Sequence, residues 1–325
     1  MYQMFALVIG MILAVMVSVN GELALVYGLF PSAVIIHVVG VLAALLLCAV
    51  RKEPEPIRGR APLWIYLGGV VGVLTVIFNN FAFAYISITS IVALGLLGQM
   101  AVSLAIDAFG WFGMEKHPFR KSTLVGFAFS LVGVFVMLDY TVMNAVLAVI
   151  LSFASGMSVV ISRCINARLA GKIGPLRGAL VNHLAGLPVS VIAALAAVKL
   201  FPSAGALVVS PRPWIYVGGA MGVVVVLLCN MTVPKVPAFR LTVLTFTAQI
   251  FTGILLDVAA GTGYSAASFA GGIIIALGVA VNLITEQVIA VRERKRSRCL
   301  EELKKTEDAY QRRLIEKHFR MKVQA

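Results

Sequence analysis

The chain has 325 residues, of which 60% are hydrophobic and only 13% are charged, and its formal net charge is +13 at pH 7. This composition excludes an ordinary soluble protein and is typical of a protein that crosses a membrane many times. The positive charge follows membrane topology, because 25 of the 27 Lys and Arg residues fall in alternate loops and in the carboxyl-terminal tail. It therefore does not indicate a nucleic-acid partner.

Ten apolar stretches of about 20 residues have the length that crosses hydrocarbon as an α-helix. We place them at 3–21, 31–50, 63–84, 88–109, 121–139, 142–163, 175–200, 213–232, 237–258 and 267–290. The first has no basic leader and no small-residue cleavage site, so we expect an uncleaved span. The sequence thus predicts an all-α integral membrane protein with ten transmembrane helices.

Two halves of the chain carry the same landmarks at closely matching spacing. The landmarks Asn20, His37, Trp64, Asn80, Gln99 and Asp107 recur in the same order as Asn166, His183, Trp214, Asn230, Gln249 and Asp257. We therefore divide the chain into a first five-helix repeat (1–140), a second five-helix repeat (141–290) and a basic helical tail (291–325).

The basic residues of the two halves lie at opposite ends. The loop at 21–30 has no Lys or Arg, whereas its counterpart in the second half carries Arg168, Lys172 and Arg177. The loop at 110–121 is basic, and its counterpart at 258–267 has no basic residue. Because basic loops stay in the cytoplasm, the halves are predicted to insert upside down relative to each other, with both termini cytoplasmic. Inverted repeats of this kind are typical of transporters.

These residues resemble the YdcZ-like branch of the drug/metabolite transporter superfamily. That branch has an early Asn with Gly eight residues later, and a Gly-Gln pair followed by Asp. Both halves fit, except that Ala248 replaces the Gly expected before Gln249. The resemblance covers about residues 1–290. It implies two inverted five-helix units around a central cavity, in the bacterial inner membrane, and export of a small metabolite. It implies no particular substrate.

His37 and His183 are the strongest candidates for a functional site, because they are ionisable groups well inside predicted spans. Each lies about 9–12 Å into its span, on a stripe of small residues that marks a face packed against other helices. Imidazole titrates near neutral pH, so the pair could bind a proton or an anionic group in alternation. The alternative is that each ring only donates a hydrogen bond to a neighbouring helix.

Gln99 and Gln249 lie near the middle of the fourth and ninth spans, each on a polar stripe. Such a stripe cannot face lipid, so it lines a cavity or a tight interface, and its recurrence favours the cavity. An amide both donates and accepts hydrogen bonds, which suits a neutral or zwitterionic solute. With these glutamines we group Asn80 and Asn230 as candidates for substrate binding or coupling.

Asp107, Asp257, Asn20 and Asn166 fall at predicted span ends and are interpreted as gate or boundary residues. For the two Asp residues, the favoured role is a hydrated carboxylate that pairs with a basic loop residue. For the two Asn residues, the favoured role is capping or turn formation.

The middle third of every predicted span lacks a carboxylate, so the chain is poorly suited to cationic drugs, which need a buried acid. The cysteines have neither the spacing of disulfide pairs nor that of metal ligands, and the sequence has no ATP-binding motif. We therefore expect no cofactor and no metal.

The favoured function is a secondary transporter that exports a small neutral, zwitterionic or anionic metabolite by alternating access, with proton coupling as a hypothesis. The alternatives are an integral membrane enzyme acting on lipid and a non-transporting assembly protein; we predict no enzyme activity.

The tail begins with a basic cluster at 292–298, next to the last predicted span. Such a cluster fixes the terminus in the cytoplasm and suits contact with anionic lipid headgroups. The expected partners are the lipid bilayer and a small-molecule substrate, and a homodimer is left open.

Reporter fusions test the predicted topology. Fusions after residues 30, 86 and 141 should report the outside of the membrane, and fusions after 56 and 115 should report the cytoplasm, as the distribution of Lys and Arg requires. A cytoplasmic signal at position 141 would remove the basis for the inverted repeat.

Overall fold

A computed structural model gives the fold of the protein and describes residues 2–51, 53, 61–83, 85–86, 88–117, 121–138, 142–143, 145–200, 209–260, 266–285, 287–289, 291–292, 295 and 306. The helices are α1 (Tyr2–Tyr27), α2 (Leu29–Val50), α3 (Gly68–Phe83), α4 (Ile88–Phe109), α5 (Lys121–Met137), α6 (Val146–Ile173), α7 (Pro175–Leu200), α8 (Gly218–Thr232) and α9 (Ala238–Ala260), followed by α10 (Ala266–Ile289). The described residues contain no β-strand, which confirms the all-α prediction.

Eight of the helices in the described part of the chain are long and apolar enough to cross a membrane. The other two are α3 and α5, whose apolar runs Gly68–Asn79 and Thr123–Met137 are shorter. In the third predicted span, a 3-10 helix at Leu63–Tyr66 replaces the first α-helical turn. The described residues therefore contain eight candidate spans, and the count of ten spans stays a prediction.

Helices α1 and α6 extend further than predicted. α1 continues through Asn20 and α6 through Asn166, and they end only at Gly28 and Gly174. These glycines have φ values of 82° and 98°, a backbone region that favours glycine and cannot continue a helix. Asn20 and Asn166 thus lie inside helices, and the predicted capping or turn role is wrong.

Residues Met1–Val279 form one compact unit, and Ala280–Ala325 form a second. In the second unit the described residues are helical, and those up to Ile289 belong to α10. The predicted tail at 291–325 lies outside the described residues, apart from 291–292, 295 and 306.

In the first unit, helices of one half pack on helices of the other half. α1 contacts α8 and α9, and in the equivalent way α6 contacts α3 and α4. α2 contacts α8, and its counterpart α7 contacts α3. Equivalent helices also meet directly, α2 with α7 and α4 with α9. Each of these contacts therefore has an equivalent contact with the roles of the two halves exchanged.

Glycines allow these helices to approach closely. A methyl group on Gly10 of α1 would overlap the backbone of Thr245, and a methyl group on the equivalent Gly156 of α6 would overlap the backbone of Gly95. Small residues at helix contacts let two backbones touch, which strengthens packing inside a membrane. The same close approach to a carbonyl recurs at Gly219 with Ile36 and at Gly69 with Asn182.

Replacing Gly156 with Ala should destabilise the protein by about 1–3 kcal/mol, because the new methyl group meets backbone atoms that cannot rotate away. Gly171→Ala is the matched control, since it lies on the same helix with open space around it and gains helix propensity. Thermal melting in one detergent measures both. Equal melting temperatures for the two variants would contradict the close contact between α4 and α6.

Candidate functional site

The two repeat histidines lie side by side where α2 meets α7. The ring centroids of His37 and His183 are 5.6 Å apart, and their planes are inclined at 64°. Each ring packs on a glycine of the opposite half. A methyl group on Gly40 would overlap His183, and one on Gly186 would overlap His37. Two positions that are 146 residues apart in sequence therefore form one site.

The hydrogen bonds of His37 are satisfied on one side of the ring. Its Nδ1 donates to the Ala33 carbonyl at 2.8 Å, and Ser190 Oγ lies 3.3 Å from the same nitrogen. Ser190 in turn donates to the Gly186 carbonyl at 3.0 Å. His37 is thus held in one orientation by α2 and α7 together.

His183 has no such partners. It is only 4% exposed, and neither ring nitrogen has a hydrogen-bond partner. One reason is in the sequence, since the position equivalent to Ser190 in the first half is Ala44. A buried polar group without a partner costs about 1–3 kcal/mol. His183 therefore has unused hydrogen-bonding capacity, which a polar group that reached the ring would satisfy.

The predicted polar stripes of α4 and α9 meet each other. Ser103 on the stripe of Gln99 and Thr242 on the stripe of Gln249 form a buried hydrogen bond of 2.9 Å between their hydroxyl groups. Gln99 and Gln249 themselves are both half-buried. A cavity lined by both glutamines stays a prediction.

Asn166 belongs to a buried polar network. Its Nδ2 donates to Asn182 Oδ1 at 2.8 Å and lies 3.4 Å from Ser162 Oγ, and Ser162 donates to the Gly68 carbonyl at 2.7 Å. The equivalent Asn20 packs against Gly218, but its buried Oδ1 has no hydrogen-bond partner. The positions of the first half that correspond to Ser162 and Asn182 are occupied by the apolar residues Met16 and Ile36.

Asn230 is also buried, and its Nδ2 donates to the Pro175 carbonyl at the start of α7, at 2.9 Å. Its Oδ1 has no partner. The side chains of Asn80 and Asp257 lie outside the described residues.

Asp107 caps a helix of the opposite half. Its carboxylate accepts hydrogen bonds from the backbone N–H groups of Ala238 at 2.7 Å and Phe239 at 2.9 Å, in the first turn of α9. A carboxylate is stabilised there by the unpaired N–H groups and by the helix dipole. Asp107 is buried, so the predicted hydrated carboxylate is wrong. The basic residues His117 and Arg240 also act on the carboxylate electrostatically.

Glu53 makes the same contact with α7, and sequence analysis missed it. Its carboxylate oxygens accept hydrogen bonds from the N–H groups of Leu176 at 2.7 Å and Arg177 at 3.0 Å. The available signal was weak: an acid shortly after a span, and Pro175 at a position that favours the first turn of a helix.

The other end of the bundle carries a different set of contacts. The hydroxyl groups of Tyr27 and Tyr216 form a hydrogen bond, and the Ser210 N–H lies 3.0 Å from each of them. Trp214 Nε1 donates to Glu22 Oε2 at 3.1 Å. These contacts join the end of α1 to the start of α8.

The described residues are mostly helical, with eight candidate spans and polar side chains gathered between them, and this is the architecture of a multi-pass membrane protein. Residues 1–136 and 147–285 match the family described as "Putative inner membrane exporter, YdcZ". The chain belongs to this family, so the resemblance in the sequence is confirmed. Family membership and the apolar helices support a membrane transporter in the inner membrane.

Two further comparisons concern curated proteins and solved structures. No curated protein matches the chain. A solved structure titled "Crystal structure of protein" aligns with a TM-score of 0.66 over 89% of this chain and 97% of its own, at 17% sequence identity. At that identity the likeness shows a shared fold alone.

The asparagines allow a matched test of the polar network. Asn166→Ala should lower the free energy of unfolding by about 1–3 kcal/mol, because it removes a buried amide and leaves the half-buried Asn182 Oδ1 without its donor. Asn20→Ala should cost less, because the Asn20 Oδ1 has no partner to lose. Thermal melting of both variants tests this, and an equal or larger loss for Asn20→Ala would contradict it.

Proposed function

We propose that the protein is a secondary transporter that exports a small neutral, zwitterionic or anionic metabolite by alternating access. The observation that carries the proposal is the pair of equivalent histidines, which meet between equivalent helices. A transporter built from inverted repeats places its site at the interface of the repeats, near the bilayer midplane.

The architecture in this proposal is ten spans in two inverted five-helix repeats, 1–140 and 141–290, with both termini and the 291–325 tail in the cytoplasm. Three observations support it. The helix contacts occur in reciprocal pairs, the family match falls into two segments, and the basic residues change sides between the halves.

Alternating access in this proposal is an exchange of conformations between the halves. His37 is held by Ala33 and Ser190, whereas His183 lacks hydrogen-bond partners. When the halves exchange, His183 takes up surroundings like those of His37, but with Ala44 in place of Ser190. The two end states therefore differ in how well they hold a proton on His183, and this difference couples protonation to the exchange.

The solute class follows from the charges. Within the described helices, the acidic residues Glu22, Asp107 and Asp257 lie near helix ends. A cationic solute in the middle of these described helices would therefore meet no carboxylate. Amides suit neutral and zwitterionic groups, and we assign this role to Gln99 and Gln249, together with Asn80 and Asn230.

Replacing His183 with Gln should preserve the fold and abolish pH-driven export, because an amide cannot carry the proton. His37→Gln should also abolish coupling, and it should lower the melting temperature more, because it disturbs hydrogen bonds that His183 does not make. The assay loads proteoliposomes with an isotope-labelled extract of cell metabolites, imposes a pH step and identifies the exported compounds by mass spectrometry.

Empty liposomes and the protein without a pH step serve as controls for leakage. Unchanged pH-driven movement in the double His→Gln variant would refute proton coupling by this pair. Failure of the parent protein to move any compound in the extract would count against the transporter itself.

A further inference from the structure

We infer that Glu53 and Asp107 are the latches of a gate, and that they hold one face of the transporter closed. The inference rests on the proposed function, because a gate has a meaning only if the two halves alternate. The term "latches" denotes the hydrogen bonds of Glu53 with Leu176 and Arg177 and of Asp107 with Ala238 and Phe239.

Both latches run from the first half to the second. Each carboxylate uses its two oxygens for two successive N–H groups in the first turn of a helix, at 2.7–3.0 Å. Hydrogen bonds to a charged acceptor are stronger than those between neutral groups, and the helix dipole adds to them. Within the first unit these contacts therefore join the halves firmly.

The two latches lie on the same face, which we call the latched face. Glu53 packs against Gly174 at the end of α6. Arg168, in the last turns of α6, packs against Gly113, which follows the α4 end that carries Asp107. A contact between the rings of Trp64 and Phe112 also joins the two regions.

The helices that the latches hold are the ones that carry the candidate site. α7 carries His183, and α9 carries Gln249. If either helix tilts away from the first half at this end, a path opens from the latched face towards those side chains. Releasing a latch is therefore a step that opening of this face requires.

The opposite face is joined by different chemistry. Among the described side chains at that face, neutral tyrosine hydroxyls and one Trp–Glu contact join the two halves. The latch of Glu53 also has no counterpart, because the equivalent stretch of the second half, 199–203, contains no acid. The two faces therefore differ in the Glu53 latch, which acts on the latched face alone. By the predicted topology the latched face is the cytoplasmic face, so the latches limit backward leak when no solute is bound.

Two native thiols lie beneath the latched face and can report its opening. Cys229 is 3% exposed and Cys164 is 1% exposed. Cys229 is next to Asn230, whose amide donates to the Pro175 carbonyl at the start of α7. Water and a small reagent reach these thiols only when the helix ends separate.

The test measures how fast Cys164 and Cys229 react with a small charged methanethiosulfonate, in purified full-length protein whose Cys48 and Cys299 are replaced by Ser. Glu53→Gln and Asp107→Asn should each raise the rate about tenfold, equal to about 1.4 kcal/mol, and the double variant should raise it further. Glu115→Gln is the matched control. It makes the same chemical change at an exposed acid on the same face, and it should leave the rate unchanged.

Amide hydrogen exchange at Leu176, Arg177, Ala238 and Phe239 shows independently whether the latches have been released. Faster exchange at these amides with unchanged thiol rates would overturn the proposal, because the carboxylates would then be helix caps and nothing more. The same conclusion would follow if Glu115→Gln raised the rates as much as the latch variants.

A variant locked by an engineered disulfide tests the proposal even if the latch variants fail to fold. A disulfide between cysteines introduced by Glu53→Cys and Arg177→Cys should lower the rate at Cys229 below that of the parent, and reduction should restore it. A parent-like rate in the locked protein would overturn the proposal. None of these rates needs a solute, so a confirmed latch without transport in liposomes would refute the proposed function alone.

Discussion

Close contact between helix backbones is the interaction on which the rest of this structure depends. Inside a bilayer, helices gain little from burying apolar surface against one another, so their association depends on packing and on hydrogen bonds between them. In this protein, glycines that recur in both halves provide the packing. Gly10 and Gly156 let α1 and α6 reach α9 and α4, and Gly40 and Gly186 leave room for the two histidine rings. The candidate site is therefore a consequence of how the helices pack.

The frame is nearly symmetrical, whereas its polar side chains are not. Ser162, Asn182 and Ser190 have the apolar counterparts Met16, Ile36 and Ala44. A symmetrical frame allows two equivalent conformations, in which the halves exchange roles. The unequal polar groups then give these conformations different energies. In this account, the repeat explains why the protein has two states, and the departures from the repeat determine which state is favoured.

Sequence patterns predicted the helices and the family because both depend on local or repeated signals. Long apolar stretches predict helices directly, and the shared spacing of the landmarks identifies the family. The ends of α1 and α6 were misplaced because a charged residue, Glu22 or Arg168, follows each Asn and resembles the start of a loop. Both helices nevertheless continue to Gly28 and Gly174. Composition predicts where a chain leaves the apolar part of the membrane more reliably than where a helix ends.

The site was harder to predict, because its contacts join residues that are distant in sequence. The repeat predicted that the histidines are equivalent, but only the fold brings their rings together. Glu53 was missed because its partners are backbone N–H groups, which every residue except proline carries and which give no pattern in a sequence. Hydrogen bonds between side chain and backbone across two halves are visible only after folding.

The central claim is that the two faces of the bundle open in alternation, and pulsed electron spin resonance between spin labels tests it most directly. One label pair, at Leu25 and Val217, spans the face of the tyrosines, and another, at Glu115 and Gly171, spans the latched face; all four positions are exposed. Across a series of pH values in liposomes, the account predicts two distances for each pair. As the fraction of molecules with the longer distance rises at one face, the fraction with the longer distance at the other face should fall. Two faces that open together, or a single fixed distance at both, would contradict the account.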